Sequence, residues 1–274
     1  MQAGIFAKTF AAQGAAENFK AVRRAGYTTV HFNMSCVGLG PMPDVITNDV
    51  TQSIAEASRA AGVSLAGVSA TYNMIHPDEA QRRDGMRRLG VMIAAARSMG
   101  TRFVTLCTGT RDPQDQWRFH PDNQSSDAWR DLLAEMESAV GMAEAHSIDL
   151  GIEPELANIV NSADAAQRLI NDLASQRLRV VLDPANLFEV AGDTQQRDII
   201  ARSVDRLGDR IAMAQAKDRD AKGGFVAAGS GVIDYRHFIG RLKANGFDGP
   251  LVTHGLSEAE APQVAHFLQE IIGS

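Results

Sequence analysis

The sequence predicts an α/β fold, a single (β/α)8 barrel spanning residues 1–274, and three observations predict it. Short apolar runs of strand length alternate with longer amphipathic runs along the whole chain, the pattern of parallel strands wrapped by crossover helices. Eight such pairs can be counted, and 274 residues suit the roughly 250 that such a barrel fills as one unit. Two of the runs, Asp149–Glu155 (DLGIEPE) and Leu178–Leu187 (LRVVLDPANL), carry an acid followed by proline. Proline cannot donate to a ladder, so each acid lies where regular pairing stops.

Gly4–Lys8 is the first strand, followed by a helix near Ala15–Ala25 that Gly26 ends as a C′ glycine. Thr28–Asn33 is the second; Gly38, Gly40, Pro41 and Pro43 then mark a loop before a helix to Ala61, stopped by Gly62. Val63–Ala70 is the third strand, and its helix runs from Asp78, an N-cap after Pro77, to Met99 and Gly100. Phe103–Cys107 is the fourth. Thr108–Ser126 is a nineteen-residue stretch rich in Gly, Pro, Asp and Asn, and a connection that long in a compact domain is expected to be functional, here as a cover for the site. A helix over Asp127–His146 feeds strand five, one over Ala163–Leu173 feeds strand six, and one over Gln195–Leu207 feeds strand seven, Ile211–Ala216. Gly223–Gly231 is expected to be a turn or mobile lid before a helix from about Asp234 to Gly246. It could also cradle a phosphate, although no P-loop pattern is present. Leu251–His254 is strand eight and Glu258–Ile272 the closing helix.

Composition excludes several function classes. A formal net charge of −6 offers no footprint for nucleic acid or an anionic membrane. No run reaches the ~18 apolar residues of a membrane span, and MQAGIFAKTF lacks the regions of a signal peptide. Cys36 and Cys107 make no disulfide framework, so the expected location is the cytoplasm. Both a monomer and a homo-oligomer stay open.

Chemistry in such barrels collects at the C-terminal rim. Glu153, Asp183, Gln215 and His254 end strands five to eight, 30, 32 and 39 residues apart, each spacing about one βα unit. Their O and N donors suit Mn²⁺, Mg²⁺, Co²⁺ or Zn²⁺ better than a thiol-preferring metal. Taken singly, each reads more readily as a rim residue hydrogen-bonded to its neighbours; four on consecutive strands favour the ligand reading. Lys8 ends strand one and either reaches a substrate or plugs the rim; Tyr72, Asn73 and His76 follow strand three; Arg111, Trp117 and His120 lie on the long loop. An aromatic face beside Arg and His can hold a sugar ring and an anion, or simply anchor loops. Glu155, Asn158 and Asn186 are hydroxyl-binding or supporting candidates by position. Lys217 and Asp218 are either a rim ion pair or an anion-neutralising lysine with its orienting acid. Cys107 is more readily a small buried strand residue than a nucleophile.

The segments GIEPE, VVLDPANLF, RIAMAQAKD and GSGVIDY with GFDGPLV resemble the xylose isomerase-like TIM barrels of the sugar phosphate isomerase/epimerase group, over nearly the whole chain. The resemblance implies a small-molecule carbohydrate substrate and a divalent cation held by Glu153, Asp183 and the residues at 215 and 254. It also implies proton transfer by the first and last ligands. Gln215 stands where that family carries His, and His254 where it carries Glu. The implied reaction is isomerisation or epimerisation of a sugar, sugar acid or sugar phosphate through a cation-stabilised enediolate, with Glu153 or His254 as base and Lys217 neutralising charge. Alternatives on the same fold are a lyase acting on a keto-sugar and a non-catalytic sugar-binding relative; an abasic-DNA endonuclease is disfavoured by the acidic charge. One carboxylate fewer among the ligands leads us to expect an anionic sugar, with Lys217 or Arg111 meeting its second charge.

Overall fold

The eight expected βα pairs close into a TIM barrel, and the computed structural model describes residues 1–273 of it. The strands are β1 (Gln2–Phe6), β2 (Thr29–Phe32), β3 (Ser64–Ser69), β4 (Phe103–Leu106), β5 (Asp149–Ile152), β6 (Leu178–Leu182), β7 (Ile211–Arg219), β8 (Phe225–Ala227) and β9 (Pro250–Thr253). All but β8 pair in parallel with a neighbour on each side, and the pairings β6–β7, β7–β9 and β9–β1 complete the ring. The helices are α1 (Ala15–Arg24), α2 (Asn48–Ala61), α3 (Glu79–Met99), α4 (Ser126–His146), α5 (Ala163–Leu173), α6 (Asp193–Leu207), α7 (Tyr235–Ala244) and α8 (Ala261–Gly273). Five of them start where a side-chain oxygen of Thr47, Asp78, Ser125, Ser162 or Asp234 accepts from a first-turn amide. Gly100 closes α3 at φ 103°, a conformation that a side chain would strain. Among the described residues no helix is long and apolar enough to cross a membrane.

Two local departures bear on function. Strand one stops at Phe6 and turns into a 3-10 segment, Ala7–Thr9, so Lys8 lies on a turn above the rim rather than in the strand. Strand seven runs on to Arg219 and pairs antiparallel with β8, Lys217 opposite Ala227 and Arg219 opposite Phe225. The glycine-rich segment expected to be a lid or turn is therefore partly a hairpin strand. Asp218 organises it, accepting from the amides of Arg219, Gly229, Gly231 and Ile233 at 2.8–3.1 Å.

Inside the barrel, Phe103, Val181, Met213 and Val252 form a plug below the rim. The ring of Phe103 fits because β3 and β5 present glycines to it. A Cβ at Gly151 would come 2.3 Å from Phe103 Cζ, and one at Gly67 2.9 Å from its Cδ1. The plug forms a floor from which the strand ends project upward. Gly151→Ala should overpack it and cost about 1–3 kcal/mol, measured as a lower urea midpoint, and Phe103→Leu in the same background should recover part of the loss. An unchanged midpoint for Gly151→Ala would contradict this account of the floor.

Candidate active site

Above the plug lies a cavity of about 420 Å³, walled by Lys8, Trp117, Glu153, Glu155, Gln215 and His254 among others. Directly behind its wall sits Asp183, with no exposed surface. Asp183 caps the short 3-10 turn Pro184–Asn186: its Oδ1 accepts from the Ala185 amide at 2.9 Å. The DPAN sequence builds this directly, because proline supplies the turn's first φ and aspartate caps it. The second oxygen, Oδ2, is 3.3 Å from Lys217 Nζ and 3.3 Å from His254 Nε2. Burial alone would raise this carboxyl, but the Lys217 charge and the His254 bond and charge hold it below its ordinary value.

Asn186 extends the network. Its Nδ2 donates to Glu153 Oε1 at 2.6 Å, and its Oδ1 accepts from Lys217 Nζ at 3.1 Å. Lys217 also lies 4.0 Å from the centre of the Phe225 ring on the β8 hairpin. Glu153 is held well above the carboxylate range by burial and by the charges of Glu155 and Asp183, which outweigh Lys217 and Asn186. Burial raises Glu155 as well. Burial and neighbouring carboxylates thus act together on this wall, a setting in which a carboxylate gains proton affinity or a cation is bound.

Gln215 supplies a second sign. Its Oε1 is buried without a hydrogen-bond partner among the described residues, although the side chain lines the cavity. An orphaned buried acceptor demands a donor or a cation. The clustered carboxylates, this oxygen, and an Asp183–His254 separation compatible with two ligands of one ion fit a divalent cation of oxygen and imidazole preference. Among the described residues no three His, Cys, Asp or Glu side chains already converge as ligands. Glu153 is turned to Asn186, and Gln215, the fourth donor, is an amide.

Other expected site residues lie elsewhere. Arg111 is committed to Ile75 O at 2.9 Å and Asp131 Oδ2 at 2.6 Å, so it holds the loop to α4 and is not free for a substrate anion. Lys217 is likewise committed, to Asp183. Asp218 faces the hairpin amides, not Lys217. His120 caps the 3-10 turn Pro121–Gln124 and lines no part of the cavity. Asn158 accepts from the Gly109 amide at 2.7 Å and from Cys107 Sγ at 3.1 Å, pinning the end of β4. Burial pushes the Cys107 thiol up, which removes it as a nucleophile. Tyr72, Asn73 and His76 line an outer cleft that adjoins this cavity. Tyr72 donates to Glu135 at 3.0 Å, Asn73 accepts from the Thr110 amide at 2.9 Å, and His76 bridges Pro113 O and the Asp78 amide. The long loop does cover the site, through Gln116 and Trp117, and Asp112 fixes it by binding Arg118 and the amides of Gln114 and Asp115.

Sequence reasoning missed His31, Asn33, Ser69, Thr71 and Thr105, which complete the cavity wall. Short polar residues in strands two to four carry no spacing signal. The imidazole of His31 lies within an apolar strand run, TVHF, where core packing is the ordinary inference.

A profile described as "Xylose isomerase-like TIM barrel" matches residues 19–271. No curated protein matches the sequence. Solved structures share the fold at low identity. An L-ribulose 3-epimerase is 19% identical with a TM-score of 0.76, covering 99% of this chain and 94% of its own. D-Psicose 3-epimerase from Clostridium cellulolyticum H10 is 14% identical, TM-score 0.76, covering 99% of both chains. The 3-keto-D-glucoside 4-epimerase of E. coli is 14% identical, TM-score 0.76, covering 100% of both.

His31 yields a pH prediction. Burial, and secondarily the charge of His254, lower its imidazole from 6.5 to about 3, and its Nε2 meets Thr105 Oγ1 at 3.0 Å. The folded state binds fewer protons than the unfolded one between these values, so this contribution is complete above pH 6.5 and is lost as pH falls toward 3. Across that window wild type should lose up to about 1.4 kcal/mol per pH unit that His31→Gln does not lose. Parallel stability-versus-pH curves for the two proteins would overturn the assignment.

Proposed function

Because the chain belongs to the xylose isomerase-like TIM barrel family, we propose that it isomerises or epimerises a sugar by moving a proton on the carbon beside the carbonyl. The observation that carries this is Glu153, a cavity-lining carboxylate whose proton affinity is raised by burial and like charge. A carboxylate at the cavity wall, aimed by the Asn186 hydrogen bond, is placed to act as a general base toward a carbon acid.

Glu153 takes the proton, the C–H electron pair forms the carbon–carbon double bond of an enediolate, and the carbonyl π pair goes to oxygen. Asn186 aims the carboxylate through its 2.6 Å hydrogen bond. Lys217, 3.3 Å from Asp183 and 3.1 Å from Asn186 Oδ1, fixes both side chains behind the cavity wall. Return of a proton from Glu153, after exchange with solvent, to the adjacent carbon on the same face gives an isomer. The C=C pair forms the new C–H bond, the O–H pair of the neighbouring hydroxyl forms the new carbonyl, and that hydroxyl's proton passes to the first oxygen. Return of a proton to the original carbon from the opposite face needs a second group, and His254 is its candidate, held by Asp183 through Nε2. Loss of the enediolate charge on reprotonation leaves the atom count unchanged.

Glu153, Asp183, Gln215 and His254 would hold a divalent cation, Mn²⁺, Mg²⁺, Co²⁺ or Zn²⁺, whose chemistry is polarisation of a carbonyl oxygen. An imidazole engaged as a ligand has no proton to give, so a ligand role for His254 favours the one-base isomerisation.

D-Psicose, L-ribulose and D-fructose incubated with the protein in D₂O test the proposal. Proton NMR should show deuterium entering beside the carbonyl, together with a new isomer. Glu153→Gln should slow this by about 10²- to 10⁴-fold, whereas Trp117→Ala should chiefly raise KM. Wild-type exchange rates in Glu153→Gln would overturn the assignment of the base.

A further inference from the structure

The cavity opens sideways into a larger cleft of about 820 Å³, between the loop after β2, the start of α3 and the long loop after β4. Pro41, Thr71, Gln116 and Trp117 line both spaces, so the two are continuous across these four residues. The inner cavity, at about 420 Å³, lies in the lower part of the range for small-ligand sites. A ring undergoing proton transfer beside Glu153 leaves the outer cleft unfilled.

The chemistry of the outer wall is uniform. Trp117 is half exposed between the two spaces and offers a flat apolar face. Gln81 and Gln116 have no side-chain hydrogen-bond partner among the described residues, so their amides are free to meet hydroxyls. Carboxylates of Asp84, Asp112 and Asp115 line the cleft against a single guanidinium, that of Arg88. Arg88 is itself committed, with Nε 2.9 Å from Asp84 and 3.4 Å from Asp44 and a bond to Met42 O. Asp112 is paired with Arg118, and Asp84 with Arg87 and Arg88, so the lining offers no uncommitted cation to a phosphate or carboxylate.

We propose that the outer cleft is a binding site for a second, uncharged sugar ring, so that the substrate is a glycoside rather than a free monosaccharide or a sugar phosphate extended by its charged end. The proposal rests on the proton-transfer function above, which assigns the reacting ring to the inner cavity. Trp117 stacks against the junction of the two rings, and Gln81 and Gln116 read hydroxyls on the outer one.

Calorimetric titration of the full chain with D-fructose and D-psicose, with the ketose-ended disaccharides lactulose, turanose and isomaltulose, and with fructose 6-phosphate tests this. At least one disaccharide should bind about tenfold tighter than either monosaccharide, the effect of one added aromatic contact, and fructose 6-phosphate should show no such gain. Gln81→Trp, which fills the outer cleft from exposed helix surface, should remove the disaccharide advantage and leave monosaccharide binding and deuterium exchange unchanged. Equal affinities for one ring and two, a preference for the phosphate, or retention of the advantage in Gln81→Trp would each overturn the outer site alone. Failure of every sugar both to bind and to exchange would instead overturn the proton-transfer function on which it rests.

Discussion

Asp183 is fully buried and yet held as an anion, and the rim is arranged around that constraint. An isolated buried carboxylate would take up a proton, because its desolvation cost is several kcal/mol. Three contacts offset that cost: the Ala185 amide, the Lys217 ammonium and the His254 imidazole. They come from three different βα units, so the barrel must close before the charge is stable. Asn186 then passes the order on, linking the same ammonium to Glu153. Local turn chemistry, barrel closure and the polarity of the site are therefore one interaction network.

The rest of the rim serves to keep that network in place. Single acidic or amide side chains hold whole loops by gathering backbone amides: Asp218 the hairpin after β7, Asp112 the loop over the cavity, and Asn158 the end of β4. Each leaves its polar atoms turned to the protein rather than to a ligand, which is why so polar a surface presents few free groups. The groups that remain directed into the cavity, Glu153, Glu155, Gln215 and Lys8, are those without a local amide to satisfy or with a surplus of charge.

Much of this was legible in the sequence because strand ends are marked by composition. Acid–proline pairs located Glu153 and Asp183, and the period of the βα unit located Gln215 and His254. What was not legible was direction. Arg111, His120 and Asp218 occupy the rim as their sequence positions imply, but whether a side chain turns to the cavity or to its own loop depends on which amides and carboxylates lie within reach. Asp131 on α4 captures Arg111 from 20 residues away, and no local pattern announces it. His31 was hidden for the opposite reason. A histidine in an apolar strand is ordinarily core, and only closure of the barrel puts its ring at the cavity wall beside Thr105.

The oxygen of Gln215 is the acceptor that this network leaves unsatisfied. It is buried, lines the cavity and lacks a partner, in the same cavity as Glu153, whose proton affinity is raised by burial and like charge. Electron paramagnetic resonance of Mn²⁺ titrated into the purified chain measures the consequence directly. The account predicts one bound Mn²⁺ per chain, lost or much weakened in Gln215→Leu, which keeps the side chain's bulk and removes its oxygen. No bound Mn²⁺ in wild type, or the same affinity in Gln215→Leu, would contradict it.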